Sequence, residues 1–166
     1  MDQGELATYV AGGGVVIETP WFWHNNSPIP SLDIFSHGGC CSYVESYPGV
    51  TVLNASDPLL NGVTFPPGTG GFDIGRTTGN TFTAGVTQVA NWLDGTAFIG
   101  HKQLGAGTVI GINMHVITSD TAYGVINQPW ATQLFVNAVG SVVPEPSTLM
   151  LVGFGMVALL GCMRSR

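Results

Sequence analysis

Charge is what this chain has least of. Only 8% of its 166 residues are Asp, Glu, Lys or Arg, and Lys and Arg together number four. That is about a third of the usual charged share. The cations are Arg76, Lys102, Arg164 and Arg166, too few and too scattered to displace a phosphate counterion atmosphere, and the net charge is −6. Nucleic-acid binding is therefore excluded as a function class. Cysteine is also scarce. Three residues cannot build a disulfide framework, and the adjacent pair Cys40 and Cys41 would have to strain its own peptide to close a bridge. The amino terminus, "MDQGELATYV", has no basic region, no apolar core of signal-peptide length and no small-residue cleavage site.

Neutral polarity takes the place of charge. The chain holds 24 glycines, 10% aromatic residues and 45% hydrophobic residues overall, enough to fill a core and many turns. Such a composition suits an exported protein better than a charged, helical cytosolic one.

The carboxy terminus reads "VVPEPSTLMLVGFGMVALLGCMRSR". Pro144 and Pro146 break any helix before the uncharged run of residues 149–163. As a helix that run spans roughly 22 Å, short of the roughly 30 Å hydrocarbon core. A buried terminal helix is the competing reading, but the run is apolar all round, with no polar stripe to face water. Arg164 and Arg166 form a basic end suited to the cytoplasmic side. The expected division is a body over residues 1–140, a linker over 141–148, a transmembrane helix over 149–163 and a basic end over 164–166.

The body reads as an amphipathic helix around Leu6, Ala7, Tyr9 and Val10, stopped by glycines 12–14 and followed by a buried strand at Val15–Ile17. "VTVLN" is a short strand, "ASDPLLNGV" a turn, and "TFPPGTGGFDIGRTTGN" a long glycine loop. Asp94-Gly95 and Gly105-Ala106-Gly107 punctuate successive strands, among them Thr108–Met114. Trp130, Leu134 and Ala138 stand at helical spacing behind Pro129 and predict a helix ending at Gly140.

Three local groups could carry chemistry or contacts. "SHGGCCSYVE" sets His37 close before Cys40 and Cys41, so a thiolate nucleophile with a histidine partner is one reading and packed thiols the other. Trp21, Phe22 and Trp23 lie in a proline-rich loop. They either cover a sheet edge as core or stack on a glycan or a partner. The histidines 24, 37, 101 and 115 lack metal-ligand spacing, and the glycine stretches lack the Lys-Ser/Thr of a phosphate loop, so neither a metal nor a cofactor is expected.

Val143-Pro144-Glu145-Pro146-Ser147-Thr148, an apolar helix and a short arginine end, in that order, resemble the PEP-CTERM sorting signal. The resemblance implies export in a Gram-negative bacterium, transient insertion among inner-membrane lipids and processing by exosortase. Pro144, Glu145 and Pro146 would be the recognition motif. The body would then be released to the outer membrane surface or an extracellular polysaccharide matrix, and an uncleaved single-pass membrane protein is the alternative. Because such proteins start with a signal peptide, Met1 is expected not to be the natural start.

The order "YVAGGGVVIE", "DPLLNGV", "GAGTVIGINMH" and "LFVNAV" resembles the class I glutamine amidotransferase-like superfamily. That resemblance implies an α/β fold: a partial doubly wound, flavodoxin-like or amidotransferase-like domain, truncated at its amino-terminal side, ahead of the C-terminal transmembrane helix. An all-β sandwich with a C-terminal helix is the alternative. Catalytic relatives carry a cysteine on the elbow after the strand that Val15–Ile17 would supply, and here Glu18-Thr19-Pro20-Trp21 stands in its place. The expectation is a non-enzymatic surface or matrix component. A cysteine hydrolase using Cys40 or Cys41 with His37 is the alternative.

Overall fold

The computed structural model describes residues 3–20, 29–36, 42–70, 74–116 and 128–141. Helix α1 (Gln3–Ala11) turns Leu6 and Val10, four residues apart, onto one side of a sheet. It stops where the glycines begin. Gly12 N donates to Thr8 O at 3.0 Å, and Gly13 takes φ +109°, a conformation that side chains resist. Ala106 N then donates to Ala11 O at 2.9 Å, satisfying a carbonyl that the helix end leaves open. A Cβ on Gly107 would run into the Val10 and Gly14 carbonyls, so glycine lets the helix end seat on the sheet.

The strands are β1 (Val15–Glu18), β2 (Ser42–Glu45), β3 (Val50–Val52), β4 (Gly75–Thr78), β5 (Thr87–Trp92), β6 (Ala97–Leu104) and β7 (Gly107–Ile112). Five of them form one sheet in the order β1-β7-β6-β5-β3, while β2 and β4 pair as a separate antiparallel ribbon. Tight turns at Asp94-Gly95 and Gly105-Ala106 join β5, β6 and β7, which forces those neighbours antiparallel. Within this sheet β1 and β7 run parallel, with Val16 opposite Val109 and Ile17 opposite Ile110.

The sheet is covered on both faces. Val15, Ile17, Ile110 and Ile112 pack with Trp130, Ala131, Leu134 and Ala138 of helix α2 (Pro129–Gly140). Val16 and Val109 point the other way, toward α1 and Leu32, Ile34 and Phe35. The period-two alternation thus serves two cores, as expected for a sheet buried on both sides. Asn137 ties α2 to the 3-10 turn Pro58–Leu60, donating to Leu59 O at 2.9 Å and Asn61 O at 2.8 Å.

The α/β class holds in this form, as mixed sheets with few helices. The pairing departs from a doubly wound parallel sheet, because tight turns rather than crossover helices join three of the five strands. A sandwich is not built by the described residues either, since the second sheet has two strands and helices occupy both faces of the first. One stretch read as loop is strand. Gly75–Thr78 lies inside the glycine-rich segment yet pairs with Ser42–Glu45, with Glu45 opposite Gly75 and Ser42 opposite Thr78, far apart in the chain. Asn113 locks this ribbon to the main sheet. Its Oδ1 accepts from Thr77 N at 3.0 Å and Thr77 Oγ1 at 2.9 Å, and its Nδ2 donates to Thr77 O and Ala97 O at 2.9 Å each.

No helix among the described residues is long and apolar enough to cross a membrane. The expected membrane helix at 149–163 lies outside the described residues, as do Pro144, Glu145 and Pro146 of the sorting motif and the basic end, Arg164 and Arg166.

Candidate functional site

His37, Cys40, Cys41, Trp21, Phe22 and Trp23 also lie outside the described residues. Among the described residues, two buried acids that sequence reading did not single out as sites hold polar partners on opposite faces of the sheet.

The first is Asp57. It precedes the 3-10 turn Pro58–Leu60, where Pro58 presets the backbone and the carboxylate caps the turn, with Leu59 N donating to Oδ1 at 3.0 Å. Oδ2 faces His101 Nε2 at 3.0 Å and receives a longer contact from Asn54 Nδ2 at 3.4 Å. The Asp57 side chain is 4% exposed and that of His101 26%, so the carboxylate is enclosed while the imidazole edge reaches out. When His101 is neutral, this contact places the ring proton on Nε2 and leaves Nδ1 as the free acceptor.

The free edge borders a cavity of about 260 Å3. Cross-strand register sets His101 opposite Ile110 and Gln103 opposite Thr108, so all four share the face covered by α2. Pro58 and Leu59 close one side and Ser141, just past α2, another. Gln103 Nε2 donates to Thr108 Oγ1 at 3.1 Å, leaving the glutamine oxygen and the threonine proton for other partners.

The second acid is Glu18, at the carboxyl end of β1 and 1% exposed. Oε2 accepts the Ile34 N–H at 3.1 Å, while Oε1 has no hydrogen-bond partner among the described residues. Burial pushes its pKa from 4.5 up to about 8, and the charge of Asp33 adds to the rise. The Ile34 N–H and the Lys102 charge oppose it. Lys102 is itself held below its ordinary value by burial, and its ammonium donates to Asp33 O at 2.7 Å. At neutral pH Glu18 is a protonated acid under the segment 29–36. A Cβ on Gly111, its neighbour across the strand pair, would lie 2.5 Å from Ile34 Cγ2, so that segment sits directly on the sheet.

No group of three or more His, Cys, Asp or Glu among the described residues could hold a metal ion. Asp57 Oδ2 orients the His101 imidazole, and no hydrogen bond joins that ring to a hydroxyl among the described residues. Sequence reading found the turn of Asp57 but not its partner, because 44 positions separate Asp57 from His101 and nothing in local spacing links them.

Residues 142–166 match the PEP-CTERM protein-sorting motif. The motif marks an exported protein of Gram-negative bacteria, and the enzyme that processes it is exosortase. No curated protein matches the chain. Among solved structures, the cytoplasmic protein STM3548 from Salmonella typhimurium is similar to it at a TM-score of 0.62 and 14% identity, over 84% of this chain and 59% of that one. The chain therefore spans less than two thirds of that protein, and at this identity the likeness is one of fold alone. The exo-beta-1,4-mannosidase Op5Man5 from Opitutaceae bacterium strain TAV5 is similar at a TM-score of 0.39 and 13% identity, over 83% of this chain and 22% of that one, too weakly to carry an argument.

Proposed function

We propose that the body, residues 1–140, is a non-enzymatic component of the cell surface or exopolysaccharide matrix, delivered by its sorting tail. The tail would pass through the inner membrane, and exosortase would release the body toward the outer surface. The observation that carries delivery is the match of residues 142–166 to the sorting motif. A non-catalytic body is supported by the carboxyl end of β1. In the amidotransferase-like resemblance a nucleophile stands there, and this chain has Glu18, buried and protonated at neutral pH. A protonated carboxylic acid is a hydrogen-bond donor, not a nucleophile.

Cys40 and Cys41, with His37, are the alternative route to covalent chemistry, and labelling with a thiol-reactive probe tests it. Ordinary slow labelling at neutral pH is the expected result. Rapid labelling, together with a hydrolytic activity that Cys40→Ala/Cys41→Ala abolishes, would make the protein a cysteine hydrolase instead. Delivery is tested separately by mass spectrometry of the mature carboxy terminus. Arg166 should be absent in cells that make exosortase, and its retention there would leave an uncleaved single-pass membrane protein.

A further inference from the structure

The geometry points to the cavity beside Asp57 and His101 as a binding site for one neutral polyhydroxylated ring, a single saccharide unit. Size sets the first limit. At about 260 Å3 the cavity lies just below the roughly 300–1,000 Å3 of sites for drug-sized ligands, so it takes one ring rather than a chain.

Charge sets the second limit. Among the described residues, no Lys or Arg lines the cavity. The Asp57 carboxylate is turned inward onto Leu59 N and His101 Nε2. The described lining offers a ligand no lysine or arginine cation, so neither a phosphate nor a carboxylate finds a counterion among those residues.

The third limit is the pattern of free valences. His101 Nδ1, the Gln103 side-chain oxygen and the Thr108 hydroxyl proton are uncommitted among the described residues. A hydrocarbon ligand would desolvate these groups without pairing them, whereas a hydroxyl both donates and accepts and can meet each one. Pro58, Leu59 and Ile110 supply an aliphatic wall for the C–H face of a puckered ring. No Phe, Tyr or Trp among the described residues lines the cavity, so a flat nucleobase gains no stacking from them.

The inference rests on the matrix reading for where the ligand is met, and on the cavity alone for its chemistry. Loss of saccharide binding would leave tail processing untouched, and an unprocessed tail would leave the cavity intact. The two can therefore fail separately.

The test titrates the full-length chain, in a detergent without a sugar head group, with methyl hexosides, methyl hexosaminides, a methyl hexuronide and adenosine, monitored by calorimetry. A neutral glycoside should bind saturably with a dissociation constant on the order of millimolar. Gln103→Leu or Thr108→Val should weaken it about tenfold, by removing one hydrogen bond while keeping the Asp57–His101 pair. Thermal melts of both variants should match the wild type, which separates lost recognition from lost folding. An oligosaccharide ending in the preferred sugar should bind as well as the free glycoside if the site reads a chain end, and the free glycoside alone should bind if it reads a monomer. No saturation by any neutral glycoside, preference for the hexuronide or adenosine, or undiminished binding by both variants would overturn the assignment.

Discussion

Asp57 and Glu18 are buried to nearly the same degree, at 6% and 1% residual exposure, on opposite faces of one sheet, yet they are handled in opposite ways. Each oxygen of Asp57 has a partner: a backbone N–H on one, an imidazole and an amide on the other. Among the described residues Glu18 has one N–H for two oxygens, and burial is the largest influence on its proton. Partners, more than depth, decide whether a buried acid serves as an anchor or waits as a neutral donor.

The comparison breaks most visibly at Asp57. Asp57→Ala removes the cap of the 3-10 turn and the partner of His101 together, and should cost about 3–5 kcal/mol in urea unfolding. Asp57→Asn keeps a capping oxygen and should cost about 1–2 kcal/mol. Equal losses from the two variants would mean that the His101 contact, rather than the cap, dominates.

Glu18 should show itself in pH dependence. Its native pKa of about 8 exceeds the ordinary 4.5, so between those values the folded chain keeps a proton that the unfolded chain has released. Stability from this residue is complete below pH 4.5, falls as pH rises through the window, and is lost above 8. The slope inside the window should approach about 1.4 kcal/mol per pH unit. Glu18→Gln should flatten it and exceed the wild type by about 2–4 kcal/mol at alkaline pH. A wild-type slope that survives in Glu18→Gln would assign the effect to another group.

How much the sequence disclosed depends on how local each signal is. Pro129 with Trp130, Leu134 and Ala138 marks α2 because helical spacing is written within a dozen residues. Glycines 12–14 end α1, and the Asp94-Gly95 and Gly105-Ala106 turns mark their hairpins, for the same reason. The ribbon of β2 and β4 escaped notice, since Gly75–Thr78 becomes strand only through a distant partner and the Asn113 side chain. The site was harder still. Asp57 reads as a turn residue and Glu18 as the end of a strand, and only the fold brings His101 to one and Ile34 to the other.

The smallest expected effect tests the environment of Glu18 rather than Glu18 itself. The Lys102 charge lowers the Glu18 pKa, while its ammonium gives up part of its own hydration to bond Asp33 O. Lys102→Met keeps much of the aliphatic stem and removes the charge, so at pH 5, where Glu18 is already protonated in the fold, stability should change by less than about 1 kcal/mol. The fall of stability with rising pH should nevertheless still begin near 4.5 and extend to a higher alkaline end, because the cationic charge that favours ionised Glu18 is gone from the fold. Asp57 on the far face should be untouched, with the Leu59 N and His101 contacts unchanged in amide and imidazole chemical shifts. A transition that stays in place would show that Lys102 is screened from Glu18, leaving burial, Asp33 and the Ile34 N–H to set its proton.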